Sequence, residues 1–194
     1  MTPQSCSIAG CTKEATNLAV FVAPQGEVTE RSVCNEHVPS LGMDYDLPNP
    51  AHPDAASVGA SFEECRLYAV LFANESQYYT VVLRGKNTDS VFLFETDYVQ
   101  ACSIYGAIYV MSSDVPRTYE LYARILEATG GTMLSAVVDS FDQETHYYGS
   151  HLVLRTANGE TQIKCRGSDA VGISHFAGVP LLVNAAFLGK ELAR

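Results

Sequence analysis

Two groups of residues have types and spacings that could do chemistry. The first is Cys6, Cys11, Cys34 and His37, in the pattern C-x4-C-x22-C-x2-H. Two short ligand pairs separated by a hairpin-length segment are what a tetrahedral Cys3His zinc site requires. Four protein ligands fill the coordination sphere, so the zinc expected here is structural. The second is Arg166, Ser168 and Asp169, a guanidinium, a hydroxyl and a carboxylate within four residues. Such groups can clamp an oxyanion or hold its counter-ion.

The elements that must position them can be read from periodicity. Between the two cysteine pairs, residues 18–23 read as a strand, 24–27 as a turn and 28–33 as the returning strand. Thirty-odd residues bury too little surface to fold alone, and structural zinc can supply a free energy on the order of 10 kcal/mol. Further on, Thr161, Ile163 and Cys165 alternate with Gln162 and Lys164, the two-residue period of a strand. Ser168 is expected to N-cap the helix that follows, with Asp169 in its first turn, Gly178 at its end and Pro180 blocking a restart. The plain alternative is ordinary capping, with Arg166 merely paired to Asp169. For the cysteines it is three ordinary thiols and a surface histidine.

The chain has 194 residues, 47% hydrophobic and 18% charged, enough apolar material for a packed core. No apolar run approaches a membrane span, and residues 1–10 lack the basic start and apolar centre of a signal peptide. A soluble, cytoplasmic protein without membrane contact is therefore expected. The net charge of -10 divides evenly, -5 over residues 1–60 and -5 over 61–194. Such a chain repels phosphate polymers at long range, so nucleic-acid binding needs a local basic patch or a divalent cation.

Three segments are expected: a zinc-binding module at 1–37, a Pro-rich linker at 38–60 and a main domain at 61–194. The main domain reads as α+β, with mixed sheets. Strand patterns fall at 65–72, 77–84 and 90–94, followed by a helix capped by Asp97, and again at 133–141, 147–155 and 160–165, followed by the Ser168 helix. An offset of 71 residues matches Arg84 to Arg155, Asn87 to Asn158 and Asp97 to Ser168, which suggests two βββα halves from internal duplication. A further helix opens at Pro116, with Leu121, Ile125 and Ala128 on its inner face, and residues 185–192 read as a last helix.

With these elements in order, three motifs of residues 62–192 resemble the bifunctional nuclease family. Arg166-Gly167-Ser168-Asp169-Ala170-Val171 is similar to the family's Arg-Pro-Ser-Asp-Ala run. Pro116-Arg117-Thr118-Tyr119-Glu120-Leu121 resembles its Pro-x-Thr-His-Asp-Leu, and Val179-Pro180-Leu181-Leu182-Val183 its Pro-Ile-x-Val ending. The resemblance implies an α+β fold that oligomerises and a nuclease acting on DNA and RNA. The chain departs from the pattern at Gly167 for Pro, Tyr119 for His, Gln100 for Glu, Val115 for Arg and Lys164 for Asp.

Phosphodiester hydrolysis usually calls on a divalent cation. Asp169 and Glu120 are the candidate ligands for Mg²⁺ or Mn²⁺, Arg166 for a phosphate oxygen, Ser168 and the first N–H groups of its helix for a phosphate seat, and Thr118 for positioning Glu120 or a water. The plain alternative for Glu120 and Thr118 is service to their own helix start alone. His146 and His151 read as surface or core groups rather than ligands, while His175 could face a cleft. The alternative function is a degenerate family member, a homo-oligomer that binds a ligand or protein, with the N-terminal module contacting a protein partner. Tyr78, Tyr79, Tyr147 and Tyr148 would then suit an aromatic interface.

Overall fold

The structure is a computed structural model, described for residues 5–23, 25–37, 45–46, 61–73, 79–88, 90–109, 116–142, 144–145 and 147–191. The β1 (Asn17–Val22) and β2 (Val28–Val33) strands form the expected N-terminal hairpin. It is followed by a 3-10 turn at Asn35–His37 and a short β3 (Tyr45–Asp46). Apart from β3, the linker expected at 38–60 lies outside the described residues.

The main chain then runs β4 (Phe62–Ala73), β5 (Tyr79–Gly85), β6 (Ser90–Thr96) and α1 (Tyr98–Ile108), then α2 (Thr118–Ala128). After these come β7 (Thr132–Asp142), β8 (Tyr147–Thr156), β9 (Gly159–Arg166) and α3 (Gly167–Ala177). The β10 (Leu181–Asn184) strand, a 3-10 turn at Ala185–Phe187 and β11 (Gly189–Glu191) follow, so the helix expected at 185–192 is instead a turn and a strand. Asn184 takes the N–H of Ala186 and caps that single turn, and β11 finds its hydrogen bonds along β6.

The fold is α+β, a mixed sheet with three helices among the described residues. The strands are ordered β3-β11-β6-β5-β4-β10-β7-β8-β9. Neighbours are antiparallel except β10 and β7, which run parallel. The N-terminal hairpin joins this sheet: β1 pairs antiparallel with the second half of β4, from Asn17 opposite Ala73 to Phe21 opposite Ala69. Val20 and Val22 thereby enter the main core.

Three antiparallel strands followed by a helix occur twice, as β4-β5-β6-α1 and β7-β8-β9-α3. Their caps differ. Asp97 accepts from the N–H of Gln100 at the start of α1, as expected. At α3 the cap position belongs to Arg166, whose backbone is extended and whose side chain makes no cap bond. Ser168 is therefore not the N-cap: it lies inside the first turn, buried, with its hydroxyl engaged by Gln100.

The α3 helix is buried nearly all round, from Gly167 to Ser174 apart from Asp169, because sheet, α1 and α2 all pack on it. Gly178, at φ 65°, ends it in the left-handed conformation that glycine adopts without strain. The closest approach along α3 falls at Gly172, where a Cβ would run into the Tyr119 ring of α2. Tyr119 is the buried anchor of α2; Leu121 and Ile125, expected inside, are 43% and 52% exposed. The helix rolls so that the large ring takes the glycine notch and the aliphatic residues on its other side face outward.

Candidate functional site

The arginine, hydroxyl and carboxylate of residues 166–169 do meet, and two further side chains complete the cluster. Arg166 sits where the edge strand β9 turns into α3, and its Nε donates to Asp169 Oδ2 at 3.1 Å. The Tyr119 hydroxyl reaches Asp169 Oδ1 and the Ser168 carbonyl, each at 3.5 Å. Gln100, buried on α1, faces the same point. Its amide nitrogen donates to Asp169 Oδ1 at 2.9 Å and to Ser168 Oγ at 3.2 Å, and its oxygen accepts from Arg166 Nη2 at 2.6 Å. The opposite orientation would set oxygen against the carboxylate, so the surrounding network fixes the amide.

Asp169 favours the cationic form of Arg166 and pushes its pKa above the ordinary guanidinium value. Burial, and after it the Asp169 charge, pushes the Tyr119 phenol well above its ordinary range, so the hydroxyl stays a donor. Each polar group here has an internal partner. Glu120 turns the other way and pairs with Arg124 one helical turn on. Thr118 opens α2 on an exposed surface.

The structure adds a feature that sequence reasoning passed over. His151 Nδ1 lies 2.9 Å from Asp139 Oδ2, with the histidine side chain 17% exposed. A carboxylate only accepts, so the Nδ1–H is fixed and Nε2 is left with the lone pair of the neutral ring. His151 pairs across the sheet with Lys164 of β9, and Gly149, two residues before it, with Arg166. Asp139, His151, Lys164 and Arg166 line an open groove of about 660 Å³. Ser150 also borders this groove; its buried hydroxyl, on the side of β8 toward Gly167 of α3, has no hydrogen-bond partner among the described residues. His146 and Val115 lie outside the described residues.

Resident Mg²⁺ or Mn²⁺ fits the Arg166–Asp169 cluster poorly. The Asp169 oxygens are engaged by Arg166, Tyr119 and Gln100, and Glu120 faces Arg124. Gln100 supplies an amide where a second carboxylate would complete a hard-cation cage.

The N-terminal cysteines give the opposite picture. One donor atom from each of Cys6, Cys11, Cys34 and His37 lies within 4.8 Å of all the others. His37 Nδ1 is 3.5 Å from Cys6 Sγ and 3.3 Å from Cys34 Sγ; Cys11 and Cys34 sulfurs are 3.9 Å apart. A tetrahedral ion bound ~2.3 Å from each sulfur sets sulfurs roughly 3.8 Å apart, whereas a disulfide needs about 2 Å. Backbone turns build the site: Cys11 N–H bonds to the Ile8 carbonyl, and His37 N–H to that of Cys34. Burial opposes a Cys6 thiolate, but hydrogen bonds from the backbone at Cys34 and Ile8, with His37 and Cys11, outweigh it and lower the thiol to about 6. The donor set and its spacing are compatible with zinc.

A family model described as the bifunctional nuclease domain matches residues 81–193, more than half of the chain. The chain belongs to that family. No curated protein matches it. The match takes in Gln100, Tyr119, His151 and Arg166–Asp169; the hairpin, the cysteine cluster and β4 precede it. No helix among the described residues is long and apolar enough to cross a membrane.

Proposed function

We propose that this protein hydrolyses phosphodiester bonds of DNA or RNA in the groove where Arg166 meets the Asp139–His151 pair. The observation that carries this reading is the carboxylate-held imidazole opening onto the same groove as two cationic side chains, in a chain of a nuclease family. His151 Nε2 would take the proton of the attacking water as its oxygen bonds to phosphorus, and would return that proton to the alkoxide expelled when the opposite P–O bond breaks. Arg166 and Lys164 would hold the non-bridging oxygens, Arg166 in bidentate fashion. Asp169, Gln100 and Tyr119 would fix the guanidinium, and Ser168 would steady Gln100. Glu120 and Thr118 would set the first turn of α2, which delivers Tyr119. No step is assigned to Mg²⁺ or Mn²⁺.

Incubation with single-stranded DNA and RNA, with each of these cations and with a brief EDTA exposure, tests the reading. His151→Ala should lower cleavage by about 10²- to 10⁴-fold, the span of a lost general base. Cleavage unchanged by His151→Ala and by Asp169→Ala would defeat it.

A second reading is a non-enzymatic binding protein. It is favoured by Gln100 and Tyr119, which put neutral groups where the family resemblance expects Glu and His. Leu121, Tyr122 and Ile125 on the outer side of α2, all more than 40% exposed, would then serve homo-oligomerisation, and the N-terminal module a protein partner. No cleavage with any cation, together with a concentration-dependent mass in light scattering, is the outcome that selects it.

We read the Cys3His cluster as a structural zinc site that holds the hairpin's cysteine end. Elemental analysis should find about one zinc per chain. A reducing cytoplasm suits such a cluster, because its sulfurs bind metal as thiolates. The recurring βββα order is read as internal duplication, which superposition of the two halves would test.

A further inference from the structure

Across the seam between the N-terminal hairpin and the main sheet lies a second groove, of about 430 Å³. Arg31 of β2, Arg66 of β4 and Arg84 of β5 converge on it with Phe21 and Tyr68. The Arg31 guanidinium carbon stands 5.7 Å from the Phe21 ring centre. Those of Arg66 and Arg84 stand 5.7 and 5.6 Å from the Tyr68 ring centre. The two rings meet edge to face, 5.8 Å apart. Arg66 also donates to the Val22 carbonyl at 3.1 Å, tying β4 to the end of β1.

One part of this arrangement costs stability. Arg66 and Arg84 are direct cross-strand partners, and like charges in that position repel. Burial, and then the charge of Arg84, lowers the Arg66 pKa. In a chain of net charge -10, three of only twelve Lys and Arg residues are gathered at one place. Guanidinium groups seated over aromatic rings offer both a phosphate partner and a flat surface for a base, the combination that holds unpaired strands. A duplex hides its base faces and would use only the charge.

We propose that this groove holds single-stranded nucleic acid, with phosphates on the arginines and bases stacked against the Arg–aromatic pairs. The inference rests on the reading that the substrate is nucleic acid, and it adds a strand-holding surface apart from the hydrolytic groove. It also gives the N-terminal hairpin a role, since Phe21 and Arg31 come from it.

The test is fluorescence anisotropy with a 5′-labelled single-stranded 15-mer in buffer without added divalent cation, the probe's integrity being checked on a gel. Arg66→Gln with Arg84→Gln should weaken binding at least tenfold and flatten the log-affinity against log-salt slope by about 1.4, for two lost phosphate contacts. Arg31→Gln, on an exposed hairpin position, should flatten it by about 0.7 and keeps the test alive if the double variant misfolds. Tyr68→Leu should cost about tenfold on the single strand and little on a duplex of the same sequence. Hydrolysis of a small phosphodiester such as bis-p-nitrophenyl phosphate should be untouched by these variants. Unchanged affinity and slope in folded arginine variants would overturn the inference, whatever the protein cleaves. So would an acidic peptide that binds as tightly as the oligonucleotide through the same arginines. Groove-dependent binding without any cleavage would leave this inference standing and remove the hydrolytic one.

Discussion

The two polar clusters of this molecule solve their electrostatics in opposite ways. At Cys6, Cys11, Cys34 and His37, sulfur and imidazole donor atoms crowd within 4.8 Å of one another. As thiolates, those sulfurs would repel without a cation among them. At Arg166, Asp169, Gln100 and Tyr119, each charge already faces its complement, and the amide of Gln100 bridges acid and base. One cluster has the donor set and spacing of a metal site. The other is complete without an ion and is suited to holding a guanidinium still beside an open groove.

The largest effect should come from emptying the first cluster. Cys34→Ser, or zinc removal by a strong chelator, should abolish the zinc signal in elemental analysis. Amide exchange should then rise through β1 and β2 while β7 to β9 stay protected, because structural zinc contributes on the order of 10 kcal/mol locally. A metal-free hairpin with unchanged exchange would erase the contrast.

Next in size is Gly172→Ala. The added methyl would displace Tyr119 and separate α2 from α3, for about 1–3 kcal/mol and a fall of a few degrees in Tm. Gly106→Ala is the control. Its nearest neighbour is the end of the Arg117 side chain at 3.4 Å, and it should be neutral or slightly stabilising.

Gln100→Glu sharpens the comparison directly. It would set a second carboxylate against Asp169 and make the satisfied network resemble a cation site. Melting in metal-free buffer at pH 7 should fall by a few degrees, at a cost of about 1–3 kcal/mol, and Mn²⁺ should restore it. The wild-type protein should show no comparable Mn²⁺ shift; if it does, the network was open to metal all along.

The smallest effect concerns His175, whose pKa burial lowers in the folded chain. The unfolded chain then binds the extra proton more readily. Stability is full above an unfolded value of about 6.5 and declines as pH falls through that value toward the folded one. Melting curves between pH 7.5 and 5 should show that decline, and His175→Asn should flatten it.

Much of this architecture was legible because it is local. The hairpin, the six main strands and the Asp97 cap follow from alternation and capping chemistry, and the cysteine spacing pointed to the cluster. What escaped depended on tertiary packing. Ser168 reads as a cap because local pattern starts the helix two residues late; only the approach of Gln100 from α1 shows where its hydroxyl goes. Leu121 and Ile125 looked inward because aliphatic periodicity cannot anticipate a notch that a glycine on another helix opens for Tyr119. The Asp139–His151 pair escaped because the register of β7 on β8 shifts between Val138 and Ser140, and counting back from the turn misses it. Gln100 and Tyr119 were visible as departures from a family pattern, yet that both touch Asp169 could not be seen in one dimension.

The position of β10 bears on how the chain reaches this state. Leu181 of β10 hydrogen-bonds beside Cys65 of β4 on one side and Ala136 of β7 on the other, so the two three-stranded meanders are spliced by a strand remote in sequence from the first. Each meander closes through short loops and can form quickly, whereas the splice must close a loop of more than a hundred residues. Assembly should therefore be limited by the arrival of four residues, and slowing that arrival would leave two half-sheets with bare edges open to aggregation.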